Sequence, residues 1–204
     1  MKKKSTLFIK NYLEELKKIA EKIDILKIEK IVNIISNTQK KSGRIFFIGV
    51  GGSAANTSHA VNDFRKIAGI ECYAPMDNVS EISARTNDNG WKSIFSEWLK
   101  ISKINKKDIL FIFSVGGGDL KNNISTNIME AIDYTKKTRA KIIGIVGNNG
   151  GYTREKADEC LTIPLVNSKH ITPHTESFQA VIWHLIVSHP KIKIHQTKWE
   201  SVKK

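Results

Sequence analysis

Two residues able to transfer a proton or bind a metal lie close to a glycine-rich turn in the first third of the chain. His59 and Asp63 are four residues apart, so on a helix their side chains face the same side. Just before them, an apolar run over 44–48 leads into a glycine-rich segment over 49–53. This order predicts a buried strand, a turn and a helix capped by Ser53, whose free N–H groups suit a phosphate. The combination indicates chemistry on a phosphorylated small molecule.

A second glycine-rich loop follows the strand-like run 108–114. Glycines let backbone N–H groups approach a ligand closely, and Ser114 adds a hydroxyl. Asp119 would repel a phosphate, so we expect it to cap the next helix or to hold a sugar hydroxyl. The candidate substrate contacts of the two loops are Gly51, Gly52, Ser53, Ser114, Gly116, Gly117, Gly118 and Asp119.

The segment 170–189 is the other dense group of reactive side chains. Glu176 and His184 are eight residues apart and face roughly the same side of a predicted helix. With the first pair they give two helices that each offer nitrogen and oxygen donors. Such sets suit zinc or a similar divalent ion, and they equally suit a metal-free acid/base pair.

Strands and helices alternate from residue 44 onward. The predicted strands are 44–48, 71–74, 108–114, 141–146 and 160–163, and the predicted helices are 53–69, 79–86, 91–101, 121–138, 152–157 and 173–188. Continuous apolar strands in this order predict a parallel sheet covered by helices on both faces. Ligands bind such sheets at the carboxyl ends of the strands, which is where the glycine-rich segments fall.

The 204 residues are expected to form a single domain with three parts. Residues 1–41 read as one or two amphipathic helices with a break near Asp24, and we favour an oligomerisation arm over a simple helical layer. Residues 42–190 form the α/β core. Residues 191–204 form a basic tail with Trp199 as its large apolar anchor.

The composition, 40% hydrophobic with a net charge of +13, favours a cytoplasmic protein that binds anionic small molecules. Because the lysines are spread thinly and are not interleaved with aromatic residues, nucleic acid is an unlikely main partner. We find no stretch resembling a membrane span or a signal peptide, and two cysteines give no disulfide framework. A basic surface would also attract sugar phosphates.

The ordered motifs resemble the sugar isomerase (SIS) domain, and within it the sedoheptulose-7-phosphate isomerases, or phosphoheptose isomerases. They comprise the glycine-rich turn, the His-x-x-x-acid pair, residues 79–83 and 87–88, and the C-terminal histidine helix. The resemblance covers nearly the whole chain. It implies a flavodoxin-like three-layer αβα sandwich with a five-stranded parallel sheet, and a homotetramer. It also implies conversion of sedoheptulose 7-phosphate into an aldose heptose 7-phosphate for bacterial heptose nucleotides.

The resemblance further implies roles for single residues. Asp63 and His184 would transfer protons through an enediol, one as base and the other as acid. Zinc, where present, would polarise the carbonyl. The implied metal ligands are His59, Asp63, Glu176 and His184. The implied substrate contacts add Asn87, Asp88 and Glu176 to those of the loops, although the composition of 87–90 alone favours a turn in a polar loop.

Three positions depart from the family pattern. Asp63 replaces a glutamate, which withdraws the carboxylate by about one methylene. Glu176 replaces a glutamine and adds a negative charge, which strengthens binding of a divalent metal. The usual serine- and threonine-rich phosphate loop is glycine-rich here, so phosphate would rely on backbone N–H groups, on Ser53, and on Asn122, Asn123 or Ser125 at the start of the next helix. These departures affect the expected substrate more than the expected fold.

Three functions remain open on these grounds. The first is an aldose–ketose isomerase for a seven-carbon sugar phosphate. The second is a non-catalytic SIS module, either a phosphosugar sensor or an adaptor for a replication initiator, and the third is an isomerase of another sugar phosphate. The four retained donors favour an enzyme. His170 and His174 are candidates to complete the site of a neighbouring subunit.

Overall fold

Two long helices precede the sheet in the computed structural model, which describes residues 2–202. They are α1 (Lys2–Lys22) and α2 (Ile25–Lys40). Asp24 separates them and caps α2, because its carboxylate accepts a hydrogen bond of 3.1 Å from the N–H of Lys27. The predicted break near Asp24 is therefore confirmed.

Five parallel strands form one sheet. They are β1 (Ile45–Ile48), β2 (Cys72–Tyr73), β3 (Ile109–Ser114), β4 (Lys141–Val146) and β5 (Glu159–Thr162). Their spatial order, β2-β1-β3-β4-β5, is the flavodoxin-like order. Each strand lies within one residue of its predicted bounds. Ile45 pairs with Ile109 and Ile48 with Ile112, so β1 and β3 end side by side.

Helices cover both faces of the sheet, as predicted. They are α3 (Gly52–Lys66), α4 (Val79–Asn89), α5 (Ile94–Ile101), α6 (Thr126–Thr138), α7 (Gly151–Lys156), α8 (Ile171–Val187) and α9 (Lys198–Ser201). Successive strand residues point to opposite faces. Phe47 and Phe111 therefore pack with residues of α1, α2, α3 and α8, whereas Phe46 and Leu110 pack with residues of α5 and α6.

The start of α3 differs from the prediction. Ser53 is not the cap but the second residue of the helix, and it is buried. Gly51 is the cap, with a φ of +62°, a conformation that costs glycine nothing and lets the chain turn sharply from β1 into α3. No side chain within residues 2–202 caps this helix, so its first N–H groups depend on other partners.

Residues 87–90 are also not the loop that their composition favours. Residues 87–89 form the end of α4, and Gly90 ends the helix with a φ of +79°. The helix begins at a strong cap, because the side chain of Asn78 accepts hydrogen bonds from the N–H groups of Ser80 and Glu81. A well-capped start and a glycine end override the turn preference of Asn and Asp.

The tail is anchored differently from the prediction. Trp199 is 88% exposed, whereas Ile192 is fully buried. The N–H groups of Ile194 and His195 both donate to the carbonyl of Ile67 at 3.0 Å. Backbone hydrogen bonds and Ile192 therefore attach the first part of the tail to the core. Every helix within residues 2–202 is too short or too polar to span a bilayer.

Candidate active site

The site is built on α3 and α8, which pack side by side. Asn56 on α3 links them, since its side-chain amide donates to the carbonyl oxygen of Glu176 at 2.9 Å and to the side-chain oxygen of Gln179 at 3.1 Å. Gln179 is fully buried. A buried polar link of this kind fixes the relative position of the two helices, because an unpaired buried amide is costly.

Three of the predicted residues meet between these helices. The Nε2 atoms of His59 and His184 lie 3.9 and 3.8 Å from Oδ2 of Asp63. The two imidazole rings are edge to face at 5.3 Å, and His59 also contacts the ring of buried Trp183 at 4.7 Å. The histidine side chains are 59% and 49% exposed, so a ligand in solvent can reach them. We call His59, Asp63 and His184 the α3–α8 triad.

Backbone and side-chain contacts orient the triad. Nδ1 of His184 lies 2.7 Å from the carbonyl oxygen of Ala180 and must donate to it, because a carbonyl only accepts. The neutral ring then carries its lone pair on Nε2, which faces Asp63. Asn62 donates to Oδ1 of Asp63 at 2.9 Å and leaves Oδ2 for the histidines. We did not predict these two contacts. Asn62 is next to Asp63 in sequence, and Ala180 lies four residues before His184.

The triad fits a divalent transition metal. It is one of two groups of His and carboxylate residues within 2–202 whose donor atoms all lie within 4.8 Å of one another. Two imidazole nitrogens and one carboxylate oxygen form a zinc-type donor set. Donor atoms around tetrahedral zinc are about 3.3 Å apart, so distances of 3.8 and 3.9 Å need little contraction. The shorter Asp63 side chain therefore still reaches both histidines.

Glu176 lies apart from the triad, at the start of α3. Its carboxylate is directly against Gly52, where a Cβ atom would collide with it. Eight residues of α-helix rise about 12 Å, which separates Glu176 from His184 along α8. Within the described residues, the donor atoms that lie within 4.8 Å of one another are those of His59, Asp63 and His184. The role of Glu176 as a metal ligand stays a prediction.

The position of Glu176 bears on the first predicted phosphate loop. The amino end of a helix carries partial positive charge and attracts an anion. Here the nearby carboxylate is the chain's own, beside Gly52. The loop thus has the predicted anion-attracting geometry, but a phosphate would meet Glu176 there.

The second glycine-rich loop lies at the neighbouring strand end, as expected, and packs tightly. Ser114 Oγ accepts a hydrogen bond from the N–H of Gly117 at 3.0 Å, so the hydroxyl is engaged within the loop. The carbonyl of Gly117 accepts from both the N–H and the hydroxyl of Thr153. A Cβ atom on Gly117 would collide with the carbonyl of Gly150. The glycine at 117 is thus needed for contact between two loops.

Asp119 does not cap the next helix. Its carboxylate accepts hydrogen bonds from the N–H and the side-chain amide of Asn122, at 3.1 and 2.7 Å, and these bonds lower the pKa of Asp119. This turn delays α6 until Thr126 instead of the predicted 121. A cavity of about 350 Å³ adjoins it, with a lining that includes Gly116, Gly118, Asp119, Lys121 and Tyr152.

The remaining predicted residues lie elsewhere. Asn87 and Asp88 are exposed at the end of α4, where the amide of Asn87 donates to the carboxylate of Asp88 at 2.8 Å. His170 and His174 both contact Glu15 of their own chain. We missed Glu15 because it is 155 residues away in sequence from His170.

Comparisons with known proteins agree with this fold. Residues 8–147 match the SIS domain family. Phosphoheptose isomerase 1 of Campylobacter jejuni subsp. jejuni serotype O:2 is 30% identical over 161 residues, covering 74% of this chain and 81% of that protein. Lincomycin biosynthesis protein LmbN of Streptomyces lincolnensis is 29% identical over 167 residues, 76% of this chain but only 59% of LmbN. The structure of phosphoheptose isomerase GmhA from Neisseria gonorrhoeae has a TM-score of 0.78 at 20% identity, covering 92% and 97% of the two chains.

The chain belongs to the SIS domain family. The five-stranded parallel sheet flanked by helices is consistent with this family. Within it, the similarity to phosphoheptose isomerases identifies an enzyme of the phosphosugar isomerase class.

Proposed function

We propose that the chain isomerises sedoheptulose 7-phosphate to a D-glycero-heptose 7-phosphate, in the cytoplasm, as a step towards heptose nucleotides for surface glycans. The observation that carries the proposal is the approach of the two Nε2 atoms to one oxygen of Asp63, at 3.8 and 3.9 Å. Similarity to phosphoheptose isomerases supports the choice of a seven-carbon ketose phosphate.

The reaction moves a hydrogen between two neighbouring carbons. A base removes the proton from the carbon next to the carbonyl, and an acid protonates the carbonyl oxygen to give an enediol. Reversal on the other carbon yields the aldose. Asp63 and His184 supply these two groups, and their orientation by Asn62 and by the carbonyl of Ala180 keeps the reactive atoms facing each other.

Zinc is the proposed cofactor, and His59, Asp63 and His184 would hold it. A ring nitrogen or carboxylate oxygen bound to the ion carries no proton, so Asp63 and His184 transfer protons only while these atoms are released from it. When bound, the ion supplies a Lewis acid that polarises the substrate carbonyl. Glu176 is proposed to lie beside the substrate phosphate near the start of α3, because its carboxylate lies against Gly52. Asn62 is a positioning residue, since it acts through Asp63.

Self-association is proposed to involve α1, with the tetramer as the expected state. Four large apolar side chains near its start are more than half exposed: Leu7, Phe8, Ile9 and Leu13. Several exposed apolar side chains close together on one helix are typical of an interface.

A panel of ketose phosphates with five, six and seven carbons tests the substrate. The purified protein, stripped with a chelator and then supplied with or without Zn²⁺, is incubated with each compound, and the aldose product is identified by NMR. We expect turnover of the seven-carbon substrate at the highest kcat/KM. Turnover of a shorter ketose alone would favour an isomerase of another sugar phosphate. Binding without turnover of any ketose would favour a phosphosugar-binding or adaptor module.

A further inference from the structure

A second group of histidines and a carboxylate lies where α1 crosses the start of α8. Oε2 of Glu15 is 2.7 Å from Nδ1 of His170 and 2.7 Å from Nε2 of His174. His170 caps α8 at the end of a short 3₁₀ turn over Ser168–His170, and His174 lies one turn further on. We call Glu15, His170 and His174 the α1–α8 triad. All three residues lie outside the α3–α8 triad.

We propose that the α1–α8 triad is a second binding site for a divalent transition metal of the zinc class. Two imidazole nitrogens four residues apart on one element, with a carboxylate from another helix, form a known zinc donor set. The donor atoms lie within 4.8 Å of one another. Three protein donors leave one tetrahedral position for water or another ligand.

The surroundings hold the three donors in place. Asn167 donates to the other carboxylate oxygen of Glu15 at 2.6 Å. The ring of Tyr12 lies 4.6 Å from the ring of His174 and 5.3 Å from that of His170. His174 is only 3% exposed. Contacts of this kind, which hold the ligating side chains in one orientation, are typical of metal sites.

Each of the two short contacts holds a proton between Glu15 and a ring nitrogen, and a bound metal ion would displace both protons. The donor atoms contact each other directly at 2.7 Å and would separate to about 3.3 Å around a tetrahedral ion. A movement of this size is within the reach of side-chain rotation.

A bound ion would join the N-terminal helix to α8. In helical rise, His174 and His184 are about 15 Å apart along α8, too far for one ion to serve both triads. The two sites therefore load separately, and loss of one leaves the other intact. The proposal stands independently of the reaction that the α3–α8 triad performs.

Metal stoichiometry tests the proposal. The full chain, free of any affinity tag, is stripped with a chelator, dialysed against Zn²⁺ and analysed for zinc per chain. We expect two equivalents in the wild type, one in Glu15→Gln, one in Asp63→Asn, and none in the double variant. Glu14→Gln, which changes the neighbouring carboxylate, is the matched control and should keep two.

The pattern of loss distinguishes this proposal from the active-site metal. One equivalent in the wild type that Glu15→Gln removes and Asp63→Asn leaves would support the second site and refute zinc in the first. Zinc content unchanged by Glu15→Gln, or a single equivalent that only Asp63→Asn removes, would overturn the proposal. If Glu15→Gln does not fold, His170→Gln, which changes a residue at the edge of the triad, gives the same comparison. Co²⁺ added to Asp63→Asn should produce tetrahedral d–d absorption that Asp63→Asn/His170→Gln lacks.

Discussion

The two triads contain the same kinds of side chain but differ in the distances between their donor atoms and in the exposure of their histidines. In the α3–α8 triad, the histidines are half exposed and stand 3.8 and 3.9 Å from Asp63. In the α1–α8 triad, both histidines contact Glu15 at 2.7 Å, and their side chains are only 21% and 4% exposed. The histidines of the α3–α8 triad are accessible to a substrate, whereas those of the α1–α8 triad are less exposed and contact Glu15 directly. Residue type alone thus does not separate a reactive site from a site that joins two helices.

The largest expected effect is on catalysis at the α3–α8 triad. Asp63→Asn keeps the shape of the side chain but removes its charge and basicity, so we expect kcat to fall by about 10²- to 10⁴-fold. Glu15→Gln should change kcat by less than about twofold, because distant sites act independently. Steady-state kinetics of both variants measure the contrast. Equal losses in the two variants would break the distinction between the triads.

His184 and His189 offer a second contrast, within a single C-terminal segment. His184 faces Asp63, whereas His189 lies 3.8 Å from Glu29. We expect His184→Gln to lower kcat by at least about 10²-fold, and His189→Gln to leave it within about twofold. Circular dichroism should show both variants folded. An active His184→Gln would remove this residue from the proposed mechanism.

Glu176 gives a smaller effect at the start of α3. Its carboxylate lies where a substrate phosphate would gain from the helix amino end. Glu176→Gln removes the repulsion, and we expect KM for the sugar phosphate to fall by about two- to fivefold. Zinc content should stay unchanged. Loss of one zinc equivalent would instead show that Glu176 is a metal ligand together with the α3–α8 triad.

The smallest effect concerns stability in acid. The pKa of Glu15 is lowered from 4.5 to about 2, so its contribution to stability is complete above about pH 4.5 and is lost as the pH falls towards 2. With a chelator present, Glu15→Gln should show a flatter decline of the free energy of unfolding across this range, measured by urea titration. If the free energy of unfolding falls in parallel in the variant and the wild type, the α1–α8 triad adds no acid-sensitive stability.

The sequence predicts the sheet well, because short apolar runs between polar or glycine-rich segments leave little choice of strand bounds. The errors occur where local hydrogen bonds compete. The hydrogen bonds between Asp119 and Asn122 form a turn, so α6 begins later than predicted. Asn78 caps α4, and this helix includes Asn87 and Asp88 although both residue types favour turns.

The candidate site is predictable only in part for a similar reason. Helical spacing brings out His59 and Asp63, since both lie on one element. The contact of Glu176 with Gly52 follows from the packing of α8 beside α3, and the contact of Glu15 with His170 spans more than 150 residues. Neither is encoded in spacing along the chain.

The most direct test of proton transfer at the α3–α8 triad is whether the product takes up deuterium from the solvent during turnover. Wild-type protein is incubated with sedoheptulose 7-phosphate in deuterated water, and the aldoheptose phosphate is examined by NMR. The account predicts deuterium at the carbon next to the carbonyl in the product, with neither product nor exchange in Asp63→Asn. Product formed by the wild type without any deuterium at that carbon, or full exchange in Asp63→Asn, would contradict proton transfer at the α3–α8 triad.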